Sequence, residues 1–482
     1  MSLASSAARG AGATFTGQAL RFLIQLVSVS ILARLLAPDD FGMYAMVIAI
    51  IGVATVLGDF GLSMAAIQSQ TLTNAQRSNL FWTNVGLGSL LGAGVYFLAG
   101  PIASFYNRPE LIAVTQVASI SFVLNAFAAQ FRAEASSKFR FKWLAAADVT
   151  AQAVALSVAV VIALNGFGYW ALVAQQVVIA SITFLVLVPA AGWLPGLPRR
   201  NTNMRSLYGF GANTLGVQIF TYVTSNADSV LLGRIAGSSA LGIYDRAYQL
   251  FRLPLLQIGA PMTRVALPVL SRLQDDPRFD QYAQRAQLIL AYTFGGLFFA
   301  LACVANPLID IMLGDQWDEA KGIFIVLAVG GVVQALGFVY YWIFLAKAYT
   351  GLQLRYSLIG RTLMLLMMTV GVIWGPIGVA IGSSAGQITL FILNSVYAIP
   401  KTGVDGAALI RITFRPALLY SVMTLITVPI SFLLLNHMDP FLHIGILALF
   451  IAFFLSGAVL LSRKIREDCL LILDAAKRVR SR

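Results

Sequence analysis

This chain of 482 residues is short of charge, of cysteine and of any long hydrophilic stretch. Charged residues make up 11%, less than half of the roughly one quarter usual in soluble domains, which excludes an ordinary soluble fold. There are two cysteines, Cys303 inside an apolar run and Cys469 in a basic tail, so no disulfide framework is expected. No Gly-Lys-Ser/Thr phosphate loop occurs and no segment has room for a nucleotide-binding domain, which excludes ATP hydrolysis by this chain alone. A polymerase or ligase with a sizeable external loop finds no such loop here. A nucleic-acid-binding role has no soluble basic domain to carry it. The N-terminus lacks a short apolar run followed by a small-residue cleavage site, so no removable signal peptide is expected.

What is present is hydrophobic, 59% of the chain. A bilayer span needs about 20 apolar residues. The pattern predicts about fourteen transmembrane helices, near 12–36, 41–68, 79–101, 111–131, 143–164, 167–193, 207–232, 240–270, 284–306, 322–346, 355–374, 376–399, 412–435 and 441–462. With a cytoplasmic N-terminus, the basic residues fall almost wholly in inside segments, including the run from Arg132 to Lys142 and the tail. Only Arg34, Arg108, Arg234 and Lys321 fall outside. This bias sets orientation, puts both termini in the cytoplasm and makes the net charge of +13 mostly a topology signal.

The first span carries Thr14, Gln18, Arg21, Gln25 and Ser28, and the seventh carries Thr214, Gln218, Thr221, Ser225 and Asp228. The alternating four- and three-residue spacing puts each set on one helical face. Leu32, Arg34, Gly42 and Tyr44 recur likewise as Leu232, Arg234, Gly242 and Tyr244. Six spans separate the copies, so the repeats run parallel, related by an axis along the membrane normal. The expected fold is an all-α polytopic membrane protein of two six-helix lobes, 1–198 and 199–404, around a central cavity. Two extra helices follow over 405–462, then an amphipathic basic tail over 463–482. That tail is either an interfacial helix on anionic lipid or a disordered basic end.

Arg21 is the sharpest candidate for a cavity residue, because an intramembrane arginine costs about 2.5–3.5 kcal/mol on insertion scales and normally faces a partner or water. Arg246, Arg252, Arg264 and Arg361 also fall inside predicted spans and must pair, snorkel or line water. Gln18, Gln25 and Gln218, on the polar stripes, are candidate cavity residues. Asp59 and Asp228 serve either as proton or cation sites or as neutralising partners of arginine. Pro254, Pro261 and Pro268 predict a kinked or broken eighth span, a feature that lines a cavity or serves packing alone. Gly88 and Gly92, like Gly378, Gly382 and Gly386, have the small-xxx-small spacing of helix-packing faces. The pair Asp39-Asp40 suits a turn or helix cap better than an acidic catalytic pair, since the repeat has Ser239-Ala240 there. No metal site and no cofactor are expected.

Leu32-Ala33-Arg34-Leu35-Leu36-Ala37-Pro38, followed by Phe41-Gly42-Met43-Tyr44, resembles the first loop of bacterial Wzx-type polysaccharide repeat-unit flippases. Pro268 to Asp276 resembles their central cytoplasmic segment, and Leu313-Gly314-Asp315-Gln316-Trp317 their acidic external loop. The nearest branch is the colanic-acid-exporter-like one. The resemblance implies the multidrug/oligosaccharidyl-lipid/polysaccharide exporter fold, with two lobes around a cavity that opens alternately to each side. It implies a bacterial inner-membrane location and, as substrate, an oligosaccharide on an undecaprenyl diphosphate carrier. A proton or sodium gradient, or the membrane potential, would drive it. Anionic lipids, a polysaccharide polymerase and other assembly proteins are the implied partners. Two rivals stand beside this: a cation-coupled small-molecule or drug antiporter, which should favour an acidic cavity, and a polyprenyl-linked glycosyltransferase or polymerase, which needs carboxylates not visible here.

Overall fold

Apolar runs at membrane depth fold as helices because a helix closes its backbone hydrogen bonds within the segment. The structure, a computed structural model, describes residues 3–59, 73–138, 140–199, 219, 221–435 and 437–480, without the side chains of 3–15, 59, 260 and 473–480. Helices α1 (Leu3–Leu35), α2 (Pro38–Asp59), α3 (Asn74–Tyr106), α4 (Leu111–Ser137), α5 (Phe141–Leu164), α6 (Trp170–Ala191) and α7 (Ala227–Ile235) come first. They are followed by α8 (Ser238–Arg272), α9 (Phe279–Cys303), α10 (Ala305–Met312), α11 (Asp318–Ala346), α12 (Thr350–Gly371) and α13 (Gly375–Leu393). The chain closes with α14 (Gly406–Leu433), α15 (Pro440–Leu461) and α16 (Arg463–Arg480).

Among the described residues, eleven helical stretches are long and apolar enough to cross a membrane, or twelve with the bent pair Ser238–Gly259 and Pro261–Arg272. Two features separate this number from the expected fourteen. Most of the expected span 207–232 lies outside the described residues. In addition, the single stretch Thr350–Thr402 doubles back on itself. A Cβ on Gly378 would meet the Gly371 carbonyl at 2.0 Å, one on Gly386 the Met364 side chain, and one on Gly360 the Leu390 side chain, an antiparallel register. The bend of 41° in α8 falls at Pro261, where the ring removes a helical hydrogen bond.

The chain divides into two compact units, Met1–Gly242 and Ile243–Arg482. In the first, α3 packs on α4, α5 on α6, α4 on α6, and α1 on α5. Helix α5 buries an alanine at every fourth position, Ala147, Ala151, Ala155, Ala159 and Ala163; small side chains at this spacing let helices approach closely. On α1, a Cβ at Gly17 would stand 2.5 Å from that of Ala145, so glycine there sets the distance between α1 and α5. Gly88 does the same between α3 and α4, where a Cβ would meet that of Ala126 at 2.3 Å.

The recurring sequence positions meet in a reciprocal contact. A Cβ on Gly42 would strike the Ser238 carbonyl at 1.7 Å, and one on Gly242 the Pro38 carbonyl at 1.9 Å. These four positions are two repeat-related pairs. Asp39 bonds the Ser238 hydroxyl and faces Arg108 at 3.5 Å. Asp40 accepts from the Ala37 N–H at 3.0 Å and the Tyr169 N–H at 2.8 Å. The acid pair therefore ties down the start of α2.

In the second unit α9 packs on α11 and α14, and α11 on α13, around fully buried Phe294, Phe298, Trp317 and Trp342. The tail is helical over α16, but its buried position is not only apolar. Asp468 is 8% exposed, 3.2 Å from Arg415 and 3.0 Å from the Tyr292 hydroxyl. An acid is buried here because a guanidinium and a phenol receive it.

Candidate functional site

The first unit holds a cavity of about 710 Å³ whose wall is contributed by α1, α2, α3, α4, α5 and α6. Its charged residues are Arg21, Arg132 and Asp148. The alanine face of α5 explains why Asp148 points there. Ala147 and Ala151 are turned into the packing, and Asp148 and Gln152 stand next to them, one residue further round the helix. Gly17 brings α1 against Ala145, and one turn further along, Arg21 comes level with Asp148.

The three groups form one bridge. Arg132 donates to the Asp148 carboxylate at 2.6 Å, and Arg21 approaches its other oxygen at 3.7 Å. Exposures of 54% for Arg21, 43% for Arg132 and 24% for Asp148 leave the guanidinium faces open to the hollow. Two cations on one carboxylate give the wall a surplus positive charge. A second acid, Glu134, does not offset it. Glu134 is 3% exposed and already shared between Arg77 at 3.2 Å and Lys138 at 2.6 Å.

Uncharged polar groups line the hollow too. The Tyr44 hydroxyl donates to Gln176 Oε1 at 2.9 Å, and Gln176 Nε2 donates to the Ser121 hydroxyl at 3.1 Å, linking α2, α6 and α4. Asn125, Gln152 and Thr183 stand on the same wall. Amides and hydroxyls of this kind bond sugar hydroxyls, and guanidinium forks bond phosphate.

The other residues singled out in the sequence lie as follows. Of the first-helix stripe, Arg21 lines the cavity, Gln18 is exposed, Gln25 is half-buried, and Ser28 is buried with its hydroxyl accepting from Gln175 at 2.9 Å. Gln218 and the side chain of Asp59 fall outside the described residues. Asp228 is buried and accepts from the Ser229 N–H at 2.8 Å. Arg246 is buried beside Asp245 at 2.5 Å. Arg252 and Arg264 are exposed on α8, and Arg361 is half-buried on α12. Arg132 and Asp148 join the wall without a sequence signal that marks them as cavity residues. Arg132 falls in a basic segment that orientation alone accounts for, and the predicted span stopped at 131, whereas α4 continues to Ser137. Among the described residues no cluster of three His, Cys, Asp or Glu side chains is placed to hold a metal.

The second unit has a hollow of another kind. A groove of about 410 Å³ runs along α12 and α13, walled by Leu366, Met367, Val370, Trp374, Gly378 and Ile381, with no charged residue.

Comparison with known proteins agrees with this architecture. The family described as polysaccharide biosynthesis protein matches residues 31–322. The chain is 25% identical to the lipopolysaccharide biosynthesis protein WzxC of Escherichia coli (strain K12) over 380 residues, 77% of this chain and 75% of that protein. It is 23% identical to the succinoglycan biosynthesis transport protein ExoT of Rhizobium meliloti (strain 1021) over 326 residues, 67% of this chain and 66% of that one. Among solved structures, the lipid II flippase MurJ in an inward closed conformation matches with a TM-score of 0.67 at 14% identity, covering 93% of this chain and 98% of that one. An inward-facing multidrug resistance MATE family transporter of the MOP superfamily matches with a TM-score of 0.61 at 13% identity, covering 81% and 96%. Such identities show the fold alone, an all-α multi-pass membrane protein like those of that superfamily.

Proposed function

The chain belongs to the polysaccharide biosynthesis protein family, and we propose that it carries oligosaccharide repeat units on undecaprenyl diphosphate across the bacterial inner membrane. The direction is from the cytoplasmic to the outer leaflet, for exopolysaccharide, capsule or O-antigen assembly, with both termini in the cytoplasm. The observation that carries this reading is the wall of Arg21, Arg132 and Asp148 inside a unit built from membrane-spanning helices.

A diphosphate cannot enter hydrocarbon bare, because removing a charge from water is costly unless it is paired. Arg21 and Arg132 replace part of its hydration with charge-assisted hydrogen bonds, the strong kind for phosphate. Gln152, Gln176, Ser121 and Asn125 offer weaker bonds to the sugar, while the polyprenyl tail stays in lipid. Exposing the cavity first to one side and then to the other moves the head across. An inside-negative potential, worth about 2.3 kcal/mol per charge per 100 mV, favours outward movement of the anion. Arg246, buried at 7% exposure beside Asp245, lacks the open guanidinium face that Arg21 and Arg132 present.

Deleting the gene and complementing with wild type, Arg21→Ala or Arg132→Ala tests this. The expected result is lipid-linked oligosaccharide building up on the cytoplasmic face in the deletion and in both variants, with the proteins inserted normally. Loss of oligosaccharide synthesis itself would point to an enzyme instead. Full polymer output from both variants would remove the arginines from the mechanism.

A further inference from the structure

We propose that Asp148 is a built-in rival of the transported diphosphate, a carboxylate that competes with phosphate oxygens for Arg21 and Arg132. The inference rests on the flippase reading above and deepens it by assigning the cavity's selectivity to one residue.

The geometry carries it in three steps. Asp148 engages both guanidinia, one oxygen each, from a helix different from either of theirs. It is the only acid on the cavity wall among the described residues, since Glu134 has its own two cations. The bridge is also partly exposed on all three members, and an ion pair open to water is weak and easily exchanged. Guanidinium forks that hold a carboxylate present the same donors to a phosphate. The incoming group must therefore outcompete a single negative charge already in place.

That requirement acts as a filter. A diphosphate brings more charge and more acceptor oxygens than Asp148, so it wins both arginines. A phosphodiester headgroup of an ordinary phospholipid carries one negative charge, gains little by the exchange and is turned away. The same rivalry hastens release, because Asp148 reclaims the arginines as the head leaves. Tight binding alone would trap the substrate, whereas a transporter must bind and then let go.

The test uses full-length protein in nanodiscs of phosphatidylethanolamine and phosphatidylglycerol. Inorganic phosphate and pyrophosphate are titrated calorimetrically, and undecaprenyl diphosphate is followed by native mass spectrometry. Asp148→Asn is expected to bind pyrophosphate about tenfold more tightly than wild type, with a smaller preference over phosphate and with lower polymer output in cells. Asp148→Ser, paired with a thermal unfolding scan, serves if the amide variant does not fold. Equal or weaker pyrophosphate binding in a folded Asp148 variant would overturn the proposal and make the residue a strut that positions the arginines. Tighter pyrophosphate binding with no binding of undecaprenyl diphosphate to either protein would uphold the rivalry while sinking the lipid-carrier reading. No pyrophosphate binding by wild type or variant would overturn the rivalry, and absent binding of undecaprenyl diphosphate as well would overturn both.

Discussion

Two hollows among the described residues differ in how their helices are held apart. In the first unit, α1, α4 and α5 contribute Arg21, Arg132 and Asp148, and solvated charge keeps the wall open because ions do not close into a dry seam without loss. In the second, α12 and α13 meet through Gly371, Gly378, Gly382 and Gly386, and the groove beside them is apolar. Leu366, Val370 and Trp374 along it are exposed, at 58%, 57% and 66%, as suits a face turned to hydrocarbon. A charged hollow needs few residues in the right places. An apolar one needs only close backbones and side chains that lipid will wet.

Substitutions can break this contrast from either side. The largest effect is expected from Arg132→Ala. Loss of a charge-assisted bond is worth about 1.5–3 kcal/mol, a fall of roughly tenfold to a hundredfold in surface polysaccharide, measured by complementation with membrane insertion checked in parallel. Gly382→Leu strikes the other hollow. A Cβ there would already lie 2.6 Å from the Met367 carbonyl, so overpacking should cost about 1–3 kcal/mol, visible as a lower Tm with pyrophosphate binding unchanged. If the binding fell as well, the two regions would not be independent.

Gly17→Val should act more gently. It wedges α1 from α5 and draws Arg21 off Asp148, loosening an exposed pair worth about 1 kcal/mol or less, so transport should fall severalfold while Arg132 stays bonded. A cysteine cross-linking yield between α1 and α5 that does not change would refute the wedge. The smallest effect belongs outside both hollows. Arg278 holds the Asp276 carboxyl down to about 2 through side-chain and backbone hydrogen bonds. A depressed folded pKa contributes stability above the unfolded value and loses it as pH falls through about 2. Asp276→Asn should therefore leave the shape of the Tm profile between pH 8 and pH 5 as in wild type, which thermal scans at each pH would check.

Much of the architecture was legible in the residues. Span length and the repeat that pairs Gly42 with Gly242 are local or periodic signals. The close α12–α13 and α3–α4 contacts follow from glycine spacing in the same way. Arg21 was legible because it stands alone among neutral polar neighbours on a greasy helix. Arg132 was not, since a cation in a basic segment near a helix end already has a sufficient reason to be there. Asp148 falls within the expected span 143–164, but spacing along a helix gives a face and not the neighbour that the face meets. Bringing Arg21, Arg132 and Asp148 together takes the packing of α1 and α4 against α5 and α6, which no single segment encodes.

The Gly42–Gly242 crossing has the form of a symmetric seam. Contact of each position with its mate's counterpart is the signature of an isologous interface, the kind that two identical chains make across a two-fold axis. Two copies of a half-length chain paired about a two-fold axis would make the same crossing, with one glycine serving both sides. The prolines of α8 and Arg21 have no match at the positions 200 residues away, yet neither glycine can acquire a side chain unless the opposing backbone withdraws.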